Sequence, residues 1–117
     1  MRLKAGIWIK AYLRRLAGEG IMAVVVRHGD DDAGAIFVRV SRLDGTSHLF
    51  GPAPAGLDEA QTERPMMAIF DGRAVADAEV DTYLSRQRDF DSDLWIVDVE
   101  ARDGRHLLDD WILTAPR

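Results

Sequence analysis

Three consecutive carboxylates, Asp30, Asp31 and Asp32, are the densest group of potentially chemical side chains in the sequence. Carboxylate oxygens are the ligands that Mg²⁺ and Ca²⁺ prefer, and a tight loop can direct several of them at one point. The run lacks the alternating acids and the distant glutamate of an EF-hand loop. Consecutive acids between two strands are also common, solvated turn formers. We therefore expect a solvated polar turn and no metal site, with the three residues as the candidate ligands if a metal does bind.

A basic helix face is the second candidate site. Lys10 and Arg14 lie one helical turn apart, so they share one side of a helix. Together with Arg15 and Arg27, they could bind a phosphate or an acidic partner through charge-assisted hydrogen bonds. A solvated helix face is the alternative. Aromatic residues do not interleave with these cations on the predicted outer face of the helix, which argues against nucleic-acid binding by base stacking.

The remaining polar residues form no recognisable catalytic pattern. His28, His48 and His106 are the only imidazoles, and they lack the spacing of a metal-binding pair. The absence of cysteine excludes thiol nucleophiles, iron–sulfur clusters and Cys-ligated zinc. Phosphate-binding glycine loops, the dinucleotide fingerprint and the nucleophile elbow are also absent. The sequence argues against an enzyme without excluding one, and it predicts no cofactor.

Composition places the chain among ordinary globular proteins. Its 117 residues and 13.0 kDa predict a single domain, residues 1–117. No apolar run reaches the roughly 18 residues of a membrane span, so we expect a cytoplasmic protein without membrane contact. A net charge of -5 argues against a dedicated nucleic-acid binder. Residues 1–50 hold eight basic and five acidic residues, whereas 51–117 hold seven and fifteen.

Hydrophobic periodicity predicts the first half of the fold. Residues 7–17 form an amphipathic helix with one apolar face, and a short strand could precede it. The apolar segment 21–27 predicts a buried strand, which a polar break joins to strand 35–42 as an antiparallel hairpin. Asp44-Gly45 then predicts a two-residue turn. That turn places Arg39 opposite Phe50 and Val40 opposite Leu49.

The second half contains one long irregular segment between regular elements. Residues 51–64 carry prolines and acids, which predict a mobile loop. A strand follows at 66–70, a helix begins at Asp77, and 94–101 is a strong strand. Asp103-Gly104 predicts another hairpin, with a partner strand at 105–108. The apolar residues beyond Asp109 are expected to pack. The fold class is therefore α+β, a largely antiparallel sheet of hairpins with two helices on one face.

The chain also resembles a family of short alphaproteobacterial proteins that is defined only as a domain of unknown function. The resemblance covers nearly the whole chain and rests on five segments, Gly6–Arg15, Arg27–Asp30, Ala33–Phe37, Leu49–Pro54 and Phe90–Val97. It implies no activity and transfers no functional residue.

Two functional hypotheses follow. The first is a small, non-enzymatic interaction module that self-associates or binds another protein, because aromatic residues and an unpaired sheet edge are typical of interfaces. The second is a small-ligand or phosphate-binding protein, with or without catalysis, that uses the basic helix face.

Overall fold

A six-stranded sheet carries two helices, and the computed structural model describes residues 3–54 and 64–112. The helices are α1 (Ala5–Gly18) and α2 (Asp77–Phe90). The strands are β1 (Met22–Arg27), β2 (Ile36–Ser41), β3 (Thr46–Pro52), β4 (Met66–Ile69), β5 (Val75–Ala76) and β6 (Trp95–Glu100). Most of the predicted 51–64 loop, residues 55–63, lies outside the described residues. Neither helix in the described part of the chain is long and apolar enough for a transmembrane segment.

The last strand lies near the middle of the sheet. The strand order is β1-β6-β2-β3-β4, and the short β5 pairs with β3. The β2/β6 pair is parallel, and all other pairs are antiparallel. The predicted hairpin of the first two strands is therefore wrong, since β6 separates them. β6 is apolar on both sides over most of its length, as an interior strand must be.

Separate hydrophobic clusters cover the two faces of the sheet. On β6, Trp95, Val97 and Val99 face the cluster that contains α1. Leu94 and Ile96 belong to the cluster that contains α2. The α+β class and the largely antiparallel sheet are confirmed, but the helices lie on opposite faces rather than on one. Alternating side chains that are apolar on both sides of a strand require cover on both sides.

The turn between β2 and β3 is one residue longer than predicted. Arg42 N–H donates to the Thr46 carbonyl at 3.0 Å, which closes a loop of three residues. Leu43 has φ 61° and Gly45 has φ 90°, so both occupy the left-handed region. The Asp44 carboxylate accepts the Thr46 N–H at 3.0 Å and stabilises the turn. The sequence signal identified the turn but not its length.

This extra residue changes the register of the hairpin. Val38 lies opposite Phe50 and Arg39 lies opposite Leu49, so the predicted pairs are displaced by one position. A shift of one residue exchanges the two faces of a strand. Leu49 consequently packs on the α2 side and Phe50 on the α1 side.

The segment after β6 packs without forming the predicted strand at 105–108. Tyr12 Oη donates to the His106 carbonyl at 2.7 Å, which ties the segment to α1. Leu108 is fully buried in the α1 cluster. The Trp111 ring meets the Trp8 ring edge-on at 5.2 Å. The expected packing of the tail is confirmed for its described residues, 109–112.

Candidate functional site

The three consecutive carboxylates bind separate partners. The Asp30 carboxylate accepts main-chain N–H groups of its own turn. Asp31 Oδ1 lies 3.1 Å from His28 Nε2, and Asp32 Oδ1 lies 3.7 Å from Lys4 Nζ. Among the described residues, no acidic or imidazole group of three is arranged to hold a metal ion. Asp30 thus stabilises the turn that it belongs to.

The basic candidates of α1 remain on its exposed side. Lys10 and Arg14 are exposed, as their spacing predicted. Arg15 forms an ion pair with Asp110 at 3.6 Å and lies 5.6 Å above the Trp111 ring. Arg15 therefore also holds the C-terminal segment against α1.

Arg27, the fourth basic candidate, is separated from the other three. It lies opposite Ile96 in the β1/β6 pair, and Ile96 faces α2. Its Nη2 donates to the Ser92 carbonyl at 2.8 Å. The structure therefore does not bring Arg27 to the α1 surface that carries Lys10 and Arg14.

The outer edge of β1 is the most exposed apolar element of the sheet. In the described residues, β1 pairs with β6 alone, so one side of its backbone faces outward. Met22 is 69% exposed, Val24 59% and Val26 57%. These three side chains form an apolar stripe on the α2 side of the sheet. A β-bulge between Val25 and Arg27 makes the far end of the strand irregular.

The opposite edge of the sheet is covered in part. Met66 N–H donates to the Trp111 carbonyl at 2.8 Å, and Met66 forms a parallel bridge with Ile112. The end of β4 is therefore paired by the C-terminal segment. The outer edge of β1 is therefore unpaired along its whole length in the described residues, whereas the outer edge of β4 is paired at Met66.

A polar groove lies beside the apolar stripe. Asp98 of β6 is directly between Val24 of β1 and Arg39 of β2. Met22 and Val24 line one side of the groove, and Asp77 at the start of α2 lines another; its volume is about 210 Å³. Its remaining polar lining residues are Arg39, Ser41, Ser47, Asp98 and Glu100.

The charged groups of the groove are tightly held. Arg39 Nη2 forms an ion pair with the Asp81 carboxylate. Ser47, which is fully buried, donates its hydroxyl to Asp77 Oδ1 at 2.6 Å. Burial raises the pKa of Asp98, and the positive charge of Arg39 opposes that rise in part. Acids outnumber the single Arg39, so the groove favours cationic groups.

Sequence reasoning expected an unpaired sheet edge but did not identify β1 as that edge, and it missed this groove. The pattern of strand 94–101 gave no sign that Arg39 would lie beside Asp98. The apolar segment 21–27 predicted a buried strand, whereas β1 is an edge strand. The one available signal for the groove was Asp98 itself, a charged residue between apolar neighbours in the strand.

Comparison with known proteins places the chain in a family. The model of the family described as protein of unknown function (DUF1491) matches residues 3–109. A crystal structure of a DUF1491 family protein from Caulobacter crescentus CB15 is 37% identical, with 97% of this chain and 100% of that chain covered and a TM-score of 0.77.

A solution structure from A. tumefaciens is 36% identical, covers 100% of this chain and 99% of that one, and has a TM-score of 0.78. No curated protein matches the chain. Sequence and structure agree over almost the full length, which confirms the resemblance found in the sequence. The chain therefore belongs to the DUF1491 family.

Proposed function

We propose that this protein is a small, non-enzymatic interaction module that self-associates through the outer edge of β1. One observation carries the proposal: a complete strand, Met22–Arg27, has an unpaired outer edge in the described part of the chain. Natural edge strands are usually blunted by charges, prolines or a cover. Arg27 is the only charged residue of β1, and the strand has no proline.

A second copy is the partner that this edge fits. Two antiparallel copies of one strand are related by a twofold axis perpendicular to the sheet. Side chains that face each other across an antiparallel pair share a face. Each residue therefore lies opposite a residue of the same face, and a pairing centred on Val24 places the regular residues 23–25 at its centre and the bulge at its two ends. Met22 then lies opposite Val26 of the other copy.

This symmetry has a consequence for the exposed surface. Both α2 faces lie on the same side of the joined sheet, so the two apolar stripes become neighbours. Cross-strand contacts between apolar side chains contribute about 0.2–1 kcal/mol each. The backbone hydrogen bonds of the pair add to these contacts, and no like charges face each other near Val24.

The oligomeric state tests the proposal directly. Sedimentation velocity over a range of protein concentrations is expected to show a dimer for the wild type. Val24→Lys introduces a charge at the centre of the pair and is expected to give monomers. Met67→Lys is the matched control, because Met67 is 38% exposed and lies on β4, at the opposite edge of the sheet. A wild-type monomer at all concentrations refutes the proposal.

A cysteine experiment tests the register. Since the chain has no cysteine, one introduced thiol is the only one present. Val24→Cys is expected to give a disulfide-linked dimer on mild oxidation. Ser85→Cys, at an exposed position of α2, is expected to stay unlinked. Equal cross-linking of both variants contradicts edge pairing.

An anion-binding role for the α1 surface is the second candidate. Lys10 lines a groove of about 550 Å³ together with Lys4, His28, Asp31 and Asp32. Lys4 and His28 lie against Asp32 and Asp31, whereas Lys10 forms no ion pair among the described residues and could bind a phosphate oxygen. A thermal-shift screen with inorganic phosphate and nucleotides tests this role. No shift in the wild type, or an equal shift in Lys10→Ala, contradicts it.

A further inference from the structure

One half of the sheet face that carries α2 has no cover in the described part of the chain. The buried residues of α2, Val80 and Leu84, pack with Phe37 of β2 and Leu49 of β3. The apolar stripe of β1 belongs to neither hydrophobic cluster, and each of its three side chains is more than half exposed. α2 therefore covers β2 and β3 and leaves β1 and the end of β6 open.

Two acids lie beside the apolar stripe on the same face. Asp98 is opposite Val24 and Glu100 is opposite Met22 in the β1/β6 pair. Residues that lie opposite each other share a face, and neighbouring strands are about 4.8 Å apart, so the acids run alongside the stripe. Neither carboxylate has an ion pair among the described residues. The apolar stripe and these two acids together form the open half of the face.

The charges around the open half of the face favour a cationic partner. Arg39 is the one cation among the described residues that line the adjoining groove, and it forms its ion pair with Asp81 of α2. Asp77, at the start of α2, accepts the Ser47 hydroxyl and adds a further negative charge to the groove. Lysine and arginine side chains therefore find acceptors here. Anionic partners, such as nucleic acids and acidic membranes, are repelled.

The open half of the face has the dimensions of one helix. Met22 and Val26 are four positions apart in a strand, which corresponds to roughly 13 Å. A helix covers that length with about nine residues. Its diameter with side chains is about 10 Å, which is enough to span β1 and β6 beside α2. A helix is also the element that commonly covers the face of a sheet in α+β proteins.

We propose that the open half of the face binds a basic amphipathic helix of another protein. The apolar side of that helix packs on the apolar stripe, and its lysine or arginine side chains bind Asp98 and Glu100. The proposal goes beyond self-association and does not depend on it. The helix contacts the face of β1, whereas pairing between copies uses the backbone edge of the same strand.

A designed peptide is the probe, because its chemistry is fully defined. It is about 18 residues long, or five helical turns, with leucine on one face, lysine at the remaining positions and a fluorescein label. One control peptide has the same composition with the leucines distributed over all faces. A second control has glutamate in place of lysine. Fluorescence anisotropy at low ionic strength is expected to show saturable binding of the probe and weaker or no binding of both controls.

Two double variants locate the binding surface. Asp98→Asn with Glu100→Gln is expected to weaken binding of the probe about fivefold, which is the effect of two exposed ion pairs. Asp89→Asn with Asp109→Asn is the matched control, because it removes the same charge from exposed positions that do not line the groove. Its affinity for the probe is expected to equal that of the wild type.

Methionine methyl signals give the position of the probe without mutation. In protein labelled with ¹³C at these methyl groups, the Met22 signal is expected to shift when the probe is added. The Met67 signal, from the opposite edge of the sheet, is expected to stay in place.

Absence of binding, equal binding of either control peptide, or equal affinity of the two double variants refutes the proposal. Sedimentation of the same samples reports self-association separately. A monomer that binds the probe supports helix binding while it refutes pairing of the β1 edge, and a dimer that binds no probe gives the opposite result.

Discussion

Replacement of Leu108 by alanine measures how far the irregular C-terminal segment belongs to the core. Leu108 is fully buried. The substitution removes three carbon groups, each worth about 0.8 kcal/mol of transfer free energy. The cavity that remains raises the loss to about 3 kcal/mol. A chain of this length has a stability of roughly 6–18 kcal/mol, so the variant is expected to fold.

Thermal and urea unfolding followed by circular dichroism give the result. With an unfolding entropy of about 2.1 cal/mol/K per residue, the loss corresponds to a decrease in Tm of about 12 °C. Phe90→Ala is the matched control: Phe90 is larger but 88% exposed, so its removal is expected to change stability by less than about 0.5 kcal/mol. A loss below about 1 kcal/mol for Leu108→Ala refutes the burial of the segment.

Three further substitutions test local contacts. Gly29→Ala places a Cβ 2.6 Å from the carbonyl carbon of Leu94, just before β6, and is expected to lower the free energy of unfolding by about 2 kcal/mol or more in chemical denaturation. Gly18→Ala is the control, because the space around Gly18 is open. Ser47→Ala removes the hydrogen bond to Asp77 and is expected to cost about 1–2 kcal/mol by urea unfolding, so an unchanged midpoint contradicts the contact. Because burial raises the pKa of Asp98, the wild type loses stability as the pH rises through that raised pKa. Asp98→Asn cannot ionise, so its stability relative to the wild type is expected to increase above that pKa and not at acid pH. Parallel pH profiles of the two proteins contradict this.

The local elements of this fold are readable from the sequence, because they depend on neighbouring residues. The apolar spacing around Trp8 and Tyr12 predicts α1, and the acids after Asp77 predict the start of α2. Strand 94–101 was predicted within one residue of β6 at each end. Such features need no knowledge of distant contacts.

The arrangement of these elements depends on contacts that the local pattern does not contain. The polar break after Arg27 suits a hairpin, yet the Asp30 N–H donates to the Asp93 carbonyl, from the segment that leads into β6. The Asp44-Gly45 pair suits a two-residue turn, and the left-handed Leu43 adds a third residue. That residue alone moved Leu49 to the other face. The groove at Asp98 was missed for the same reason, since it depends on strand order.

The position of β6 also determines when the sheet can form. β2, β3 and β4 are consecutive and can pair early, but β1 pairs only with β6 among the described strands. Long-range strand pairing slows folding, because the loop must close before the contacts form. During synthesis at about 5–20 residues per second, β1 waits on the order of 4–15 s for its partner strand. Over that interval β1 has no partner strand, so its apolar residues stay unpaired on the nascent chain.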